Sequence, residues 1–496
     1  MATGVSTTKW NGERQSIERT AADADLSVTL SYAGKKPVAE ILSGPCAQTF
    51  KVWGAADDPT ATMNCLYWGD NLPILRMLLN DDRVRGKVRL VYIDPPYATN
   101  SVFQSRDQKD AYADLLQGAQ FVEFLRERLL VIRELLADDG SIYAHLDDNM
   151  AFEIKMVMDE VFGKEHFQNW ITRKKCSTKN TTRNRFGNVA DYILFYTKSN
   201  EFVWNRPFDP WSEDKIADEY PYVDEKTGRR YKRVPVHAPG TRNGATGGKW
   251  RGMLPPKGKH WQYTPTTLDE LDAKGEIYWS KNGNPRRKVF FDPGKGVPQQ
   301  DIWLNYRDSI NQNMVITGYP TEKNLAMLEN IVAASSNPGD LVLDAFCGSG
   351  TTMQAAYNLD RRWIGIDREE EAICAVLKRF NIGSEKMGDF VTDKAAKSYK
   401  PHELLDERNF AQSLFGTCPF QFLVASDKLD QAKVSFKVKV PPDAKHSALS
   451  NLAKRAVDPA IKAASLAVLA KAFERLSGTL GVPSESLLGI VGNGTT

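Results

Sequence analysis

The chain has 496 residues, is 42% hydrophobic and 26% charged, and carries a formal net charge of +3. That length accommodates roughly two to four domains, and the composition is ordinary for a globular protein that buries a core. No apolar run reaches the ~18 residues of a membrane span, and Met1 to Lys9 lacks the layout of a secretory signal. The six scattered cysteines contain no C-x-x-C pair, which argues against a zinc site and a disulfide scaffold and fits a reducing cytoplasm.

In chain order, residues 1–60 form a polar lead-in. From 61 to 169, strand-like and helix-like stretches alternate. Cys65–Trp68 reads as a short strand, Leu72–Leu79 as a helix, and Val88–Ile93 as a buried strand ending in Asp-Pro-Pro. Phe121, Phe124, Leu125, Leu129, Ile132 and Leu136 recur at helical spacing, Gly140 is a stop signal, and Ser141–His145 is the next strand. Residues 170–315 have a different texture, rich in Gly, Pro, basic and aromatic residues. The window from Trp170 to Gln300 holds 25 Lys and Arg against 14 Asp and Glu, so the rest of the chain is net acidic. Segregated positive charge of this kind is an electrostatic footprint for nucleic acid.

The alternation returns in residues 316–384. A helix over Asn324–Ala334 is followed by a turn at Asn337–Asp340, a strand at Leu341–Leu343, a helix after Thr351 and a strand at Trp363–Ile366. Residues 385–496 form a C-terminal extension in which Ala448–Leu476 reads as helical. Strands alternating with helices on both sides of an insertion predict an α/β fold whose single, mostly parallel sheet is split in sequence.

Two segments carry chemistry. In Leu341–Thr352 an apolar strand runs through Asp344, Phe346 and Cys347 into a Gly348-Ser-Gly350 turn and a helix beginning Thr351-Thr352. Glycines there let a ligand approach the backbone at the carboxyl end of a strand. About seventeen residues later a second strand ends in Asp367, placed to accept hydrogen bonds from ribose hydroxyls. A dinucleotide-binding unit would want a small residue where this chain has Met353.

The other segment is Asp94-Pro95-Pro96-Tyr97. The Asp94 carboxylate and the Pro95 carbonyl can accept hydrogen bonds from both N–H groups of an exocyclic amine. The prolines fix the backbone, and Tyr97 offers a face on which an extruded base can stack.

Together these residues resemble the beta-class DNA amino-methyltransferases. The resemblance covers residues 61–380 and extends to the modification subunits of type III restriction systems through Asp159–Gly163, Asp191–Phe195 and Asp301–Trp303. It implies a Rossmann-like S-adenosylmethionine-dependent methyltransferase fold with helices on both faces of a mixed, mostly parallel sheet. Residues 61–169 would be the catalytic half, 316–384 the cofactor half, and 170–315 an inserted DNA target-recognition domain. It implies S-adenosyl-L-methionine as cofactor, with Asp70 near its adenine and Thr321, Lys323 and Asn324 near its methionine moiety. No metal is expected. Asp94 at the head of the tetrapeptide points to adenine N6, with cytosine N4 the alternative.

Arg173, Lys174, Lys175, Arg229, Arg230, Arg233, Arg286 and Arg287 are candidate phosphate contacts to double-stranded DNA. The interleaved Trp204, Trp250, Trp261 and Trp279 read chiefly as local core. Ala448–Leu476 is compatible with a homodimer surface or a docking site for a restriction or defence subunit. A DNA-recognition subunit without turnover is the competing class, and the expected setting is a bacterial, archaeal or phage-encoded cytoplasmic protein.

Overall fold

The computed structural model describes residues 30–54, 64–96, 118–176, 184, 186–308, 322–381, 400–405 and 420–438, with the backbone of 102–104, 110–113, 315–316 and 385–386. In chain order its central sheet uses β1 (Thr49–Gly54), β2 (Cys65–Trp68), β3 (Val88–Ile93), β4 (Leu136–Leu146), β5 (Phe167–Lys174), β6 (Ala190–Thr197), β7 (Ile302–Trp303), β8 (Leu341–Asp344), β9 (Arg362–Asp367) and β10 (Gln421–Ala425). Across the sheet the order is β1-β10-β2-β9-β8-β3-β4-β6-β5-β7. Neighbours from β10 through β4 run parallel. β1, β6 and β5 join antiparallel, and β7 pairs parallel to β5 at the far edge.

The parallel strands are apolar on both faces because both faces are covered. Helices α1 (Asn71–Leu78), α2 (Gly118–Leu135) and α3 (Ala151–Phe162) come from the N-terminal half. Helices α4 (Leu325–Ser335), α5 (Thr351–Asn358) and α6 (Glu370–Asn381) come from the C-terminal half. In β3, Val91 and Ile93 join the core under α1–α3, while Leu90 and Tyr92 join the core under α4–α6. The expected mixed, mostly parallel sheet with helices on both faces is present. No helix among the described residues is long and apolar enough to cross a membrane.

Element positions follow the sequence reading closely for β2, β3, α1, β8 and β9. Two strands depart from it. β1 lies inside the polar lead-in, and β10 lies in the C-terminal extension yet inserts between β1 and β2. Ala448–Leu476 falls outside the described residues.

The inserted unit is also smaller than the sequence suggested. The contiguous insertion is Arg206–Gln300, because β5, β6 and β7 pair in the central sheet and belong to the same compact unit as the rest of it. Its strands Tyr222–Val223, Arg230–Pro235, Pro285–Phe290 and Ile277–Trp279 form, in that spatial order, a four-stranded antiparallel sheet. Helices Glu213–Glu219 and Pro265–Ala273 are capped by Ser212 and Thr264, whose side chains accept from Lys215 N–H and Thr267 N–H. Trp250 and Trp261 are buried with Val236, Leu268, Leu271 and Ile277, and Trp279 packs on them. These tryptophans are therefore core. Trp204 precedes the insertion and stacks on Phe195 of β6.

Phe422 of β10 is fully buried and meets Phe436 edge-on at 5.5 Å between ring centroids. Phe422→Ala should cost about 3–5 kcal/mol in urea unfolding, as for a core aromatic. An unchanged midpoint would mean that β10 is not part of the cooperative sheet.

Candidate active site

Parallel pairing places the carboxyl ends of β2, β9, β8 and β3 side by side, and each end carries an aspartate: Asp70, Asp367, Asp344 and Asp94. This is the edge at which open α/β sheets bind ligands. It also brings the two motifs, some 250 residues apart, onto adjacent strands β8 and β3.

The glycine loop is held from within. Asp344 accepts from Phe346 N–H at 3.0 Å and from the Thr352 hydroxyl at 2.6 Å. Asp367 accepts from Gly348 N–H at 2.9 Å and from Glu369 N–H at 3.0 Å. Gly350 has φ +81°, and a Cβ there would lie 3.0 Å from Val376 of α6. Glycine is thus needed at 350 for backbone conformation and for the approach of α6. Met353 has a matching explanation. Its thioether lies against Gly365 of β9, where a Cβ would come within 2.9 Å of it. Cys347 is buried, and burial pushes its thiol well up, so it is no nucleophile.

Two arginines that the sequence reading missed brace this edge. Arg128 of α2 donates to Asp70 at 2.9 Å and also reaches the Asn71 side chain, whose amide donates to the Ala345 carbonyl at 2.7 Å. Asp70 is simultaneously the N-cap of α1, accepting from Leu72 N–H. Buried Arg379 of α6 donates to the Ser349 carbonyl at 2.7 Å and to the Thr351 hydroxyl at 3.1 Å, and pairs with Glu322. Glu322 adjoins Lys323, whose ammonium lies 2.7 Å from Asp94. Asn324 caps α4 through Met327 N–H and donates to the Arg307 carbonyl at 3.0 Å.

Arg173 is the clearest departure from expectation. It is fully buried in β5, where it pairs with Asp191 at 3.1 Å and with Asp308, and donates to the Tyr306 carbonyl at 2.7 Å. Its charge is consumed inside the protein, so it is not placed to meet a phosphate. His145 Nε2 lies 2.9 Å from the same Asp191 carboxylate, and Tyr92 OH lies 2.6 Å from His145 Nδ1. Tyr92 OH and His145 Nδ1 share one hydrogen bond, whose donor depends on the tautomer, while Nε2 faces the carboxylate at ion-pair distance. Burial alone would raise the Asp191 carboxyl, but His145 and Arg173 more than offset it and hold it well below the usual range.

Lys174 ends β5, and the Lys175 main chain bonds to Val189 and Asp308. Arg229, Arg230, Arg233, Arg286 and Arg287 lie in the inserted unit. Tyr97 and Thr321 fall outside the described residues.

The edge fits a cationic ligand with ribose hydroxyls. Burial pushes Asp344 up to about 7, with Asp94 and Asp367 adding repulsion, and burial pushes Asp367 up to about 6. A sulfonium would relieve that repulsion, and the Asp367 carboxylate at the end of β9 suits a ribose.

Because the Asp344 carboxyl is raised by folding, deprotonating it opposes folding. The Asp344 contribution to stability should therefore fall as pH rises from about 4 to about 7. Asp344→Asn can keep both hydrogen bonds, since the Thr352 hydroxyl can reverse its role. The variant should match wild type in urea unfolding at pH 4 and exceed it at pH 8, by at most about 4 kcal/mol. Equal stability at both pH values would remove the burial penalty. Asp191 has the opposite sign, its contribution being present above about pH 4 and lost on acidification. Asp191→Ala should cost about 3 kcal/mol or more near neutrality, with the gap to wild type narrowing as pH falls.

A family model described as DNA methylase, of the N6/N4 type, matches residues 88–378, the span that contains both motifs. The chain is 49% identical over 372 residues to the type II methyltransferase M.EcaI of Enterobacter cloacae, covering 75% of this chain and 81% of that one. It is 28% identical over 335 residues to the type III restriction-modification enzyme StyLTI Mod subunit of Salmonella typhimurium, covering 60% of this chain and 50% of that subunit. It therefore spans only half the length of this type III relative. Among solved structures, the M1.HpyAVI–SAM complex is similar, at 19% identity and a TM-score of 0.35, over 64% of this chain and 98% of that one. On the family match and the relationship to M.EcaI, the chain belongs to the N6/N4 DNA methylase family.

Proposed function

We propose that this restriction-modification DNA methyltransferase modifies N6 of an adenine turned out of double-stranded DNA. The observation that carries the reading is Asp94 at the end of β3, one strand from the Asp344 glycine loop and anchored by Lys323. S-adenosyl-L-methionine supplies an activated methyl group on a sulfonium. The chain's own residues do the rest. Asp367 would take the ribose hydroxyls, the loop from Phe346 to Gly350 would hold the cofactor, and Asp70, braced by Arg128, would serve its adenine. Lys323 and Asn324, at the start of α4, would serve its methionine moiety.

An exocyclic amine is a poor nucleophile because its lone pair is delocalised into the ring. Asp94 and the Pro95 carbonyl accept its two N–H groups, turn the lone pair toward the methyl carbon and offset the positive charge that grows on nitrogen. The ion pair with Lys323 limits rotation of the Asp94 side chain, so the acceptor is positioned before the base arrives. A base stacked in a duplex cannot reach this strand end, so the target nucleotide must be extruded.

Aspartate as the first residue of the tetrapeptide supports adenine over cytosine. Relatives named as type III Mod subunits agree with the restriction-modification setting. A partner nuclease for this chain is part of the proposal.

The test is to express the chain in a host without adenine methylation and analyse the host DNA by nucleoside mass spectrometry and modification-sensitive reads. N6-methyladenine at a recurring motif is expected. N4-methylcytosine would overturn the base assignment, and an unmodified genome from a cofactor-binding protein would favour a recognition subunit. Asp94→Asn should lower turnover at least about a hundredfold, as for loss of a transition-state acceptor, with cofactor affinity in calorimetry changed only a few-fold.

A further inference from the structure

The insertion's small sheet separates its side chains by parity. Register pairs Tyr222 with Tyr231, Tyr231 with Phe290, Arg233 with Lys288, and Pro235 and Tyr278 with Arg286, so these residues share one face. Arg230, Lys232, Val234, Arg287, Ile277 and Trp279 share the other. Both helices of the unit meet that second face. Ile277 and Trp279 pack with Leu268 and Leu271 of one helix, and Lys232 pairs with Glu219 of the other. Arg287 on the same side is engaged by Tyr263 and Glu276.

The first face is built differently. The Arg233 guanidinium carbon lies 3.5 Å from the ring centroids of both Tyr222 and Tyr278. Two rings that close to one carbon must occupy opposite sides of the guanidinium plane. Its flat faces are therefore covered, while its N–H edge points along the gap between the rings. No carboxylate pairs with Arg233 among the described residues; one terminal N–H group donates to the Tyr231 hydroxyl at 3.4 Å, and its Nε is buried without a hydrogen-bond partner. Arg286, exposed on the same face, is also without a carboxylate among the described residues. The Arg229 guanidinium lies 4.7 Å from the Phe290 ring. A stacked guanidinium has lost rotamer freedom and part of its hydration already, and it presents a rigid fork suited to a phosphate.

We propose that this aromatic–basic face, centred on Arg233 between Tyr222 and Tyr278, is the surface by which the insertion grips the phosphate backbone of duplex DNA. The proposal rests on the DNA-methylating reading above and assigns one side of one sheet to the contact. It also divides the arginines by role. Arg233 and Arg286 contact phosphate, Arg287 is structural, and the tyrosines act by holding Arg233 in place.

The experiment uses the full chain and a random-sequence duplex of roughly 30 base pairs. Dissociation constants are measured across a salt series, with circular dichroism checking each variant's fold. Arg286→Gln, at an exposed position, should lower the slope of log affinity against log salt by about 0.9, and Arg233→Gln with Arg286→Gln by about 1.8. Tyr222→Leu with Tyr278→Leu, which removes no charge, should weaken binding by about tenfold or more at ~150 mM salt if a disordered Arg233 loses its contact. Arg287→Gln should leave the slope unchanged. If the wild type binds duplex and methylates DNA while the first-face variants keep its slope, the face is wrong and the methylating reading stands. Equal losses from Arg287→Gln would overturn it in the same way. A wild type that neither binds duplex nor methylates DNA would sink both.

Discussion

The parallel pairing of β8 with β3 is the constraint on which the rest of the molecule depends. β8 comes from the C-terminal half and is inserted beside β3 from the N-terminal half. Leu341, Val342 and Leu343 find their partners at Val88, Leu90 and Val91. Once that register is set, strand polarity does the remaining work. Asp94 and Asp344 must emerge at the same edge, and Asp367 follows on β9. The candidate catalytic motif and the glycine loop, far apart in sequence, become neighbours through this pairing alone. Parallel neighbours need long crossovers, which gives the chain room for large segments between its two halves without disturbing the edge.

That edge is electrostatically expensive. Several carboxylates sit within a few strands of one another, two of them raised well above their ordinary range by burial. The protein does not neutralise them by pairing each with a cation. Asp344 and Asp367 are satisfied by neutral donors, namely backbone N–H groups and the Thr352 hydroxyl. The arginines brace instead, with Arg379 on loop carbonyl and hydroxyl oxygens and Arg128 spanning the Asp70–Asn71 cap. Neutral donors leave the negative charge uncompensated, available to a cationic ligand, whereas direct ion pairs would have cancelled it. Asp70 and Asp94, the outer two of the four, are the exceptions: Arg128 pairs with Asp70, and Lys323, which pairs with Asp94, also belongs to the segment expected to hold the cofactor's other end.

The parts of this arrangement that were legible in sequence are those with a local signature. β3 and β8 are apolar runs ended by an aspartate, and the glycine loop is defined by backbone needs that only glycine meets. What was not legible depends on contacts distant in sequence. β10 is a five-residue, largely apolar run in an extension without sustained alternation, and its place in the sheet is set by β1 and β2 on either side. Arg173 looked like part of a basic run with Lys174 and Lys175. Strand parity sends it into the sheet, where Asp191 and Asp308 await it from other elements. The same parity rule divides Arg233 from Arg230 and Arg286 from Arg287. Charge counts over a window cannot see which face of a strand a residue occupies.

The residues that flank the insertion are anchored within the larger unit. Asn205, just before it, donates its side-chain amide to the carbonyls of Ala333 and Ser336 at the end of α4, 3.0 Å each. Asp301, just after it, accepts from Thr172 N–H of β5 at 2.8 Å. The next residues form β7 and then reach Asp308, which pairs with Arg173, and the Arg307 carbonyl, which accepts from Asn324. The chain therefore leaves and re-enters at anchored points. Sequence between them can change without altering the register of β5 or the seating of α4, so the inserted unit can diversify while the strand ends of β3 and β8 stay as they are. The cost falls on the anchors. Arg173 and Asn324 hold the return strand on one side and the start of α4 on the other, so a substitution at either would reach the Lys323–Asp94 pair without touching it.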